Sequence, residues 1–253
     1  MKLVAALLLV CLLGLSAIYA QTDGFEVVTS ESARRLAVER HPRPLPDAPV
    51  VLESGARASL LSWLRSDGRV AIVDFVYTRC ISICAALGSE FQQLQAEVLR
   101  RGLSDRVRLL SISFDPADTA DELTRYAQSL HADPQLWRFA GLADAAQRRE
   151  LLDTFGIVVV PAPLGQFVHN AALHVVTADG RLARVVDYDA PDEALAAAVA
   201  QAARNTGGNA AGTHAAGTHA AGTHAAGTHA AAAHAVGKMA VLAGAPRSGG
   251  GAR

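Results

Sequence analysis

The sequence predicts an α/β domain with a central mixed sheet flanked by helices, ahead of a disordered C-terminal tail. Three observations carry this expectation. Two short apolar runs rich in Val, Ile and Leu, "RVAIVDFVY" at 69–77 and "RVRLLSISF" at 106–114, read as strands buried on both faces. Each is followed by a segment whose apolar residues recur at helical spacing. Further on, "HNAALHVVTADGRLARVVDY" at 169–188 reads as two strands joined at Asp179-Gly180, a strong hairpin signal.

The first helix, 85–101, sets Leu87, Phe91, Leu94, Val98 and Leu99 three and four residues apart. The second, 118–131, has Asp118 or Thr119 as its cap and Leu123, Tyr126, Ala127 and Leu130 as its buried stripe. "WRFAGL" at 137–142 reads as a strand and turn before a third helix over 144–155, with Trp137 in the core. A last helix over 191–204 starts in "DAPDE". The order βαβα, then helix, hairpin and helix, implies parallel strands extended by an antiparallel pair. That is the layout of a thioredoxin-like domain. Phe75 and Tyr77 belong to its core, and the basic residues of "RVRLL" to a solvated strand entrance.

The 253 residues suffice for one domain with appendages at both ends. Residues 1–20 put one Lys ahead of an uncharged stretch, Leu3 to Ala20, that ends in small residues. This is an export signal cleaved near Ala20 or, uncleaved, a membrane anchor, since it approaches the roughly 20 residues that span a bilayer. Val10 stands where a lipoprotein signal places a small residue before its cysteine, here Cys11. The product is exported: periplasmic, or anchored and facing the periplasm. Residues 21–45 are polar and lead into "HPRPLPDAP", an extended linker, so the folded domain runs over 46–204. From 205 to 253 a five-residue unit repeats, placing His214, His219, His224, His229 and His234 at equal intervals in a tail expected to be disordered. On a helix this period rotates each histidine by roughly 140°, so the five share no face. They are either a weak pool for Cu(II), Zn or Ni or a neutral repeat expansion. Lys plus Arg is 23 against 24 Asp plus Glu, a net charge of −1 that offers no general attraction to nucleic acid.

Beyond the signal only Cys80 and Cys84 remain, too few for a disulfide framework, which points to metal ligands or a redox pair. The plain alternative is two buried core thiols. Cys84 is expected in the first turn of its helix, where unpaired N–H groups favour a thiolate, with Cys80 on the loop leaving the strand. A redox pair usually has two intervening residues. The three of "CISIC" shift the weight toward metal, and two soft thiolates in an exported protein favour Cu(I), with zinc as competitor. An imidazole is wanted as third ligand. His174 lies inside the strand run "LHVV", whereas His169 ends the loop "PAPLGQFVH", and loops at strand ends are where ligands gather. His169 is therefore chosen.

These residues resemble the Sco/SenC family of exported thioredoxin-like proteins over about 46–190. "FVYTRCISIC" resembles its copper-binding cysteine motif. "LLSISFDPADTADELTRYA" is similar to its strand ending in Asp-Pro and followed by an Asp-Thr helix start, which brings in Asp115, Pro116, Asp118 and Thr119. "VHNAALHVVTADG" resembles the segment in which the ligand histidine stands eleven residues before a turn glycine, as His169 does before Gly180. Ile81 and Ala85 occupy positions where the family usually has proline, and Asn170 follows the histidine. The resemblance implies copper, Cu(I) or Cu(II), on Cys80, Cys84 and His169, with Asp115 as a supporting or a turn residue. It implies delivery to the copper-binding subunit of cytochrome c oxidase or to another copper-site protein. The rival is a thiol-disulfide oxidoreductase using Cys80 and Cys84 with a thiol reductant as partner, and a redox or copper sensor is a third reading.

Overall fold

A computed structural model describes residues 2–22, 24, 29–80 and 83–215. Those up to Gly212 form one compact unit. The N-terminal helix α1 (Lys2–Gln21) buries no residue and is long and apolar enough to cross a membrane. Helix α2 (Ser30–Arg40) precedes strands β1 (Arg43–Pro44), β2 (Pro49–Leu52) and β3 (Arg57–Ser59) and helix α3 (Leu60–Asp67). The two apolar runs form β4 (Val70–Val76) and β5 (Val107–Ser113), separated by α4 (Ile83–Arg100). Next come α5 (Ala120–Ser129), β6 (Trp137–Leu142), α6 (Ala145–Phe155) and a small hairpin, β7 (Val159–Ala162) and β8 (Gln166–His169). Strands β9 (Ala172–Val176) and β10 (Arg181–Asp187) and helix α7 (Pro191–Ala215) complete the described chain.

Eight strands make one mixed sheet in the order β1-β10-β9-β4-β5-β6-β2-β3, and β7 and β8 make a separate two-stranded sheet. The parallel centre is β4, β5 and β6, and β9 and β2 flank it antiparallel. Every residue of β4 and β5 is buried, as strands covered on both faces require. This is the thioredoxin-like layout that the element order predicts. Because β4 and β5 run in register, Val76 beside Ser113, the loops leaving them emerge side by side.

Several expectations need correcting. The segment 21–45 is not an extended linker throughout: 30–40 is helical, capped by Thr29, whose hydroxyl accepts from Ser32 N at 3.0 Å. Its composition hid it, because Val38 is its only fully buried residue. Ion pairs dock the rest, Arg35 on Asp187 at 2.6 Å and Glu39 on Arg184. Leu99 is 48% exposed, since Val98 takes the inward position at that turn. Arg108 is not solvated: its guanidinium donates to Asp67 at the end of α3 and lies 5.5 Å from the Trp63 ring centroid. α3 itself carries legible signals, a Ser59 cap and a left-handed Gly68 stop. The last helix continues past the expected 204 to Ala215. His214 lies on that backbone, while His219, His224, His229 and His234 and the expected disorder over 216–253 fall outside the described residues.

The hairpin turn depends on glycine. Gly180 has φ +83°, and a Cβ there would stand 2.5 Å from Leu61 Cδ2. The leucine end can swing away, but the left-handed backbone cannot be relieved. Gly180→Ala is expected to cost about 1–2 kcal/mol, read from urea unfolding midpoints.

Candidate metal centre

The site sits where β4 and β5 end. The chain leaves β4 through Tyr77, Thr78 and Arg79, and Cys80 N donates to Tyr77 O at 3.2 Å, closing a tight turn. Cys84 is the second residue of α4, and its N–H donates to Cys80 Sγ at 3.4 Å, so a helix-start donor faces that sulfur. Cys84 is fully buried and Cys80 is 8% exposed, so both sulfurs lie beneath the surface. The expectation that the helix start leaves Cys84 acidic does not hold. Burial first, and neighbouring Cys80 second, push its thiol far above the ordinary thiol range, against the opposing bond to the Tyr77 backbone.

His169 is the last residue of β8 rather than part of an irregular loop. Pro163, Leu164 and Gly165 form the turn of its hairpin, which the sequence does not signal, since "VVVPAPLGQFV" shows no clean alternation of polar and apolar residues. Tyr77 holds the hairpin in place: its hydroxyl lies 3.0 Å from Gln166 Oε1 and 3.2 Å from the Phe167 carbonyl, and accepts from Phe167 N at 3.3 Å. Asn170 pins the hairpin base, accepting from Val158 N at 2.7 Å and donating to Gly156 O at 2.9 Å. The His169 ring packs against Phe114 and Tyr77, at centroid distances of 5.0 and 6.1 Å.

The tautomer follows from the partners. His169 Nδ1 is 2.9 Å from the Asn170 carbonyl, which can only accept, so Nδ1 carries the proton. Burial pulls the imidazole below its ordinary value of 6.5, against the opposing Asn170 bond, so the ring is neutral at pH 7. The Nε2 lone pair is then free to face Cys84 Sγ, 3.6 Å away. Ligand atoms of Cys80, Cys84 and His169 all lie within 4.8 Å of one another. Bonds of about 2.0–2.3 Å to a shared ion would set such atoms roughly 3.5–4 Å apart, so a small closure suffices.

The other nominated residues fall into place around this cluster. His174 is wholly buried, its ring edge-on to Phe75 and Phe155, and it takes no part in the cluster. Asp115 accepts from Ala117 N at 2.9 Å and from Arg79 at 2.6 Å. It therefore acts both in its own turn and on the loop beside Cys80.

A family model described as SCO1/SenC matches residues 57–204. The SCO1 protein homolog of Bacillus subtilis (strain 168) is 27% identical over 125 residues, which are 48% of this chain and 63% of that protein. The chain thus spans less than two thirds of that relative's length. Among solved structures, Arabidopsis thaliana ScoI with copper bound is 16% identical, with a TM-score of 0.53 over 62% of this chain and 98% of that one. BsSco, a member of the Sco family of cytochrome c oxidase assembly proteins in which a disulfide switch was identified, is 22% identical, with a TM-score of 0.53 over 64% and 95%. These two likenesses concern the fold. The family match covers more than half of the chain and takes in both cysteines, the histidine and the strands that position them, and by it the chain belongs to the SCO1/SenC family.

Proposed function

We propose that the protein is a copper metallochaperone. It holds copper on Cys80, Cys84 and His169 and passes it by ligand exchange to the copper-binding subunit of a respiratory cytochrome c oxidase. The observation that carries this reading is the convergence of two sulfurs and one unprotonated imidazole nitrogen within 4.8 Å, at the end of β4 and β8. Two thiolates and an imidazole suit copper, and the ion takes the place of the thiol proton that burial otherwise retains on Cys84. The copper-bound Arabidopsis relative and the oxidase-assembly role of BsSco support the same cargo and destination. The domain works on the periplasmic side, either cleaved from α1 or tethered by it. Asp115 supports the loop through Arg79, and His214, His219, His224, His229 and His234 supply a separate, weaker copper pool.

The test is copper stoichiometry and affinity of reduced residues 21–204, which lack the histidine repeat. Cys80→Ala, Cys84→Ala and His169→Ala are measured alongside. One tight copper per chain is expected, weakened at least about 100-fold by either cysteine substitution and about 10- to 100-fold by His169→Ala. The longer chain should bind further copper weakly. Weak binding indifferent to His169, with a readily reduced Cys80–Cys84 disulfide, would instead establish the thiol oxidoreductase.

A further inference from the structure

Asp118 is free of the role its position suggests. Helix α5 is capped by Thr119, whose hydroxyl takes Glu122 N while the Glu122 carboxylate takes Thr119 N, a complete capping box. The Asp118 carboxylate turns the other way and accepts three hydrogen bonds: from Thr78 N at 2.8 Å, Thr78 Oγ1 at 2.6 Å and Ser113 Oγ at 2.5 Å. Ser113 is fully buried at the end of β5, and its hydroxyl also accepts from Asp115 N at 3.2 Å. Thr78 stands two residues before Cys80. On either side of it, Tyr77 is tied to the β7–β8 hairpin and Arg79 to Asp115. Three consecutive side chains are thus anchored immediately ahead of Cys80, Tyr77 to the β7–β8 hairpin and Thr78 and Arg79 to the loop that follows β5.

We propose that Asp118 is a positioning residue: by gripping both the backbone and the hydroxyl of Thr78, it sets Cys80 Sγ against Cys84 and His169. Neither Ile81 nor Ala85 is proline, so the sequence supplies no ring constraint at these positions. Of the two carboxylates, Asp118 is the stronger grip. Arg79, the partner of Asp115, is 48% exposed, and exposed ion pairs hold weakly. The bonds to Asp118 are part-buried and charge-assisted, and one of them fixes the main chain itself.

The experiment uses the exported chain with Asp118→Asn, Thr78→Val, both together, and Thr78→Ser. Two properties are read. One is the equilibrium in which Cys80 and Cys84 thiols and one oxidised glutathione give the Cys80–Cys84 disulfide and two reduced glutathiones. The other is copper affinity with the thiolate-to-Cu(II) charge-transfer spectrum. Asp118→Asn is expected to lower the disulfide equilibrium constant and the copper affinity about tenfold each and to shift the charge-transfer band, with far-UV circular dichroism unchanged. Thr78→Val should act in the same direction, the double variant should be no worse than Asp118→Asn alone, and Thr78→Ser should return to within about twofold of wild type. Should Asp118→Asn not fold, the Thr78 pair decides. A disulfide constant and spectrum unmoved by Asp118→Asn, effects that multiply in the double variant, or no rescue by serine would overturn the proposal. The copper readout rests on the chaperone reading. A wild-type chain that binds no tight copper sinks that reading, and the disulfide equilibrium still decides the role of Asp118.

Discussion

His174→Ala is expected to cost about 3 kcal/mol of stability and leave copper affinity within about threefold, while His169→Ala is expected to do the reverse. The two histidines sit five residues apart and the fold separates them completely. His174 is fully buried in β9, pairs with Val73 across to β4, and donates from Nδ1 to the Val73 carbonyl at 3.2 Å. Removing it empties a ring-sized space between Phe75 and Phe155, centroids 5.8 and 5.0 Å away, and leaves that carbonyl without its side-chain donor. His169 is half-buried at the end of an outlying hairpin that Tyr77 and Asn170 hold without it. Its loss removes the proposed ligand and only ring-edge contacts with Phe114 and Tyr77. Urea unfolding and copper titration on the two variants check both halves. A copper defect in His174→Ala at full foldedness, or a stability loss above about 2 kcal/mol in His169→Ala, would refute the separation.

That His174 and not His169 packs in the core is legible because His174 lies in an apolar run and His169 does not. The two central strands were legible for the same reason: seven consecutive buried residues leave no polar position to confuse the pattern. Helix α2 was not, because one buried valine and a set of ion pairs dock it, and salt bridges leave no periodic trace. Arg108 reads as solvated in the sequence because its partners Asp67 and Trp63 lie far upstream, on α3. Within the site, the cysteines and the histidine announce themselves by residue type. The grip of Asp118 on Thr78 does not, since it depends on two parallel strands ending level and on Thr119 taking over the cap.

The carboxylate of Asp74, in the middle of β4, is expected to reverse part of the pH dependence of stability. It is 1% exposed and its Oδ1 has no hydrogen-bond partner. Burial raises its pKa from 3.8 to about 7, against the opposing bond to Ser111. The folded value lies above the unfolded one, so the stabilisation from this group is full below about pH 3.8 and is lost as pH rises through about 7, a change of about 4 kcal/mol. His174 acts in the opposite sense. Burial, partly offset by the Val73 bond, lowers its pKa from 6.5 to about 4, so its contribution is present above 6.5 and lost as pH falls through 4. Between pH 4 and 6.5 the two oppose each other and the wild-type curve should be nearly level, then decline toward pH 7. Asp74→Asn keeps the shape and removes the charge. It should unmask the rise due to His174 and gain about 2 kcal/mol over wild type at pH 8, since there the wild type carries a buried carboxylate with an unpartnered oxygen. Urea unfolding of both proteins at pH 5, 6.5 and 8 decides the matter: parallel curves, or a variant less stable than wild type at pH 8, would show that Asp74 is ionised and adequately solvated in the fold.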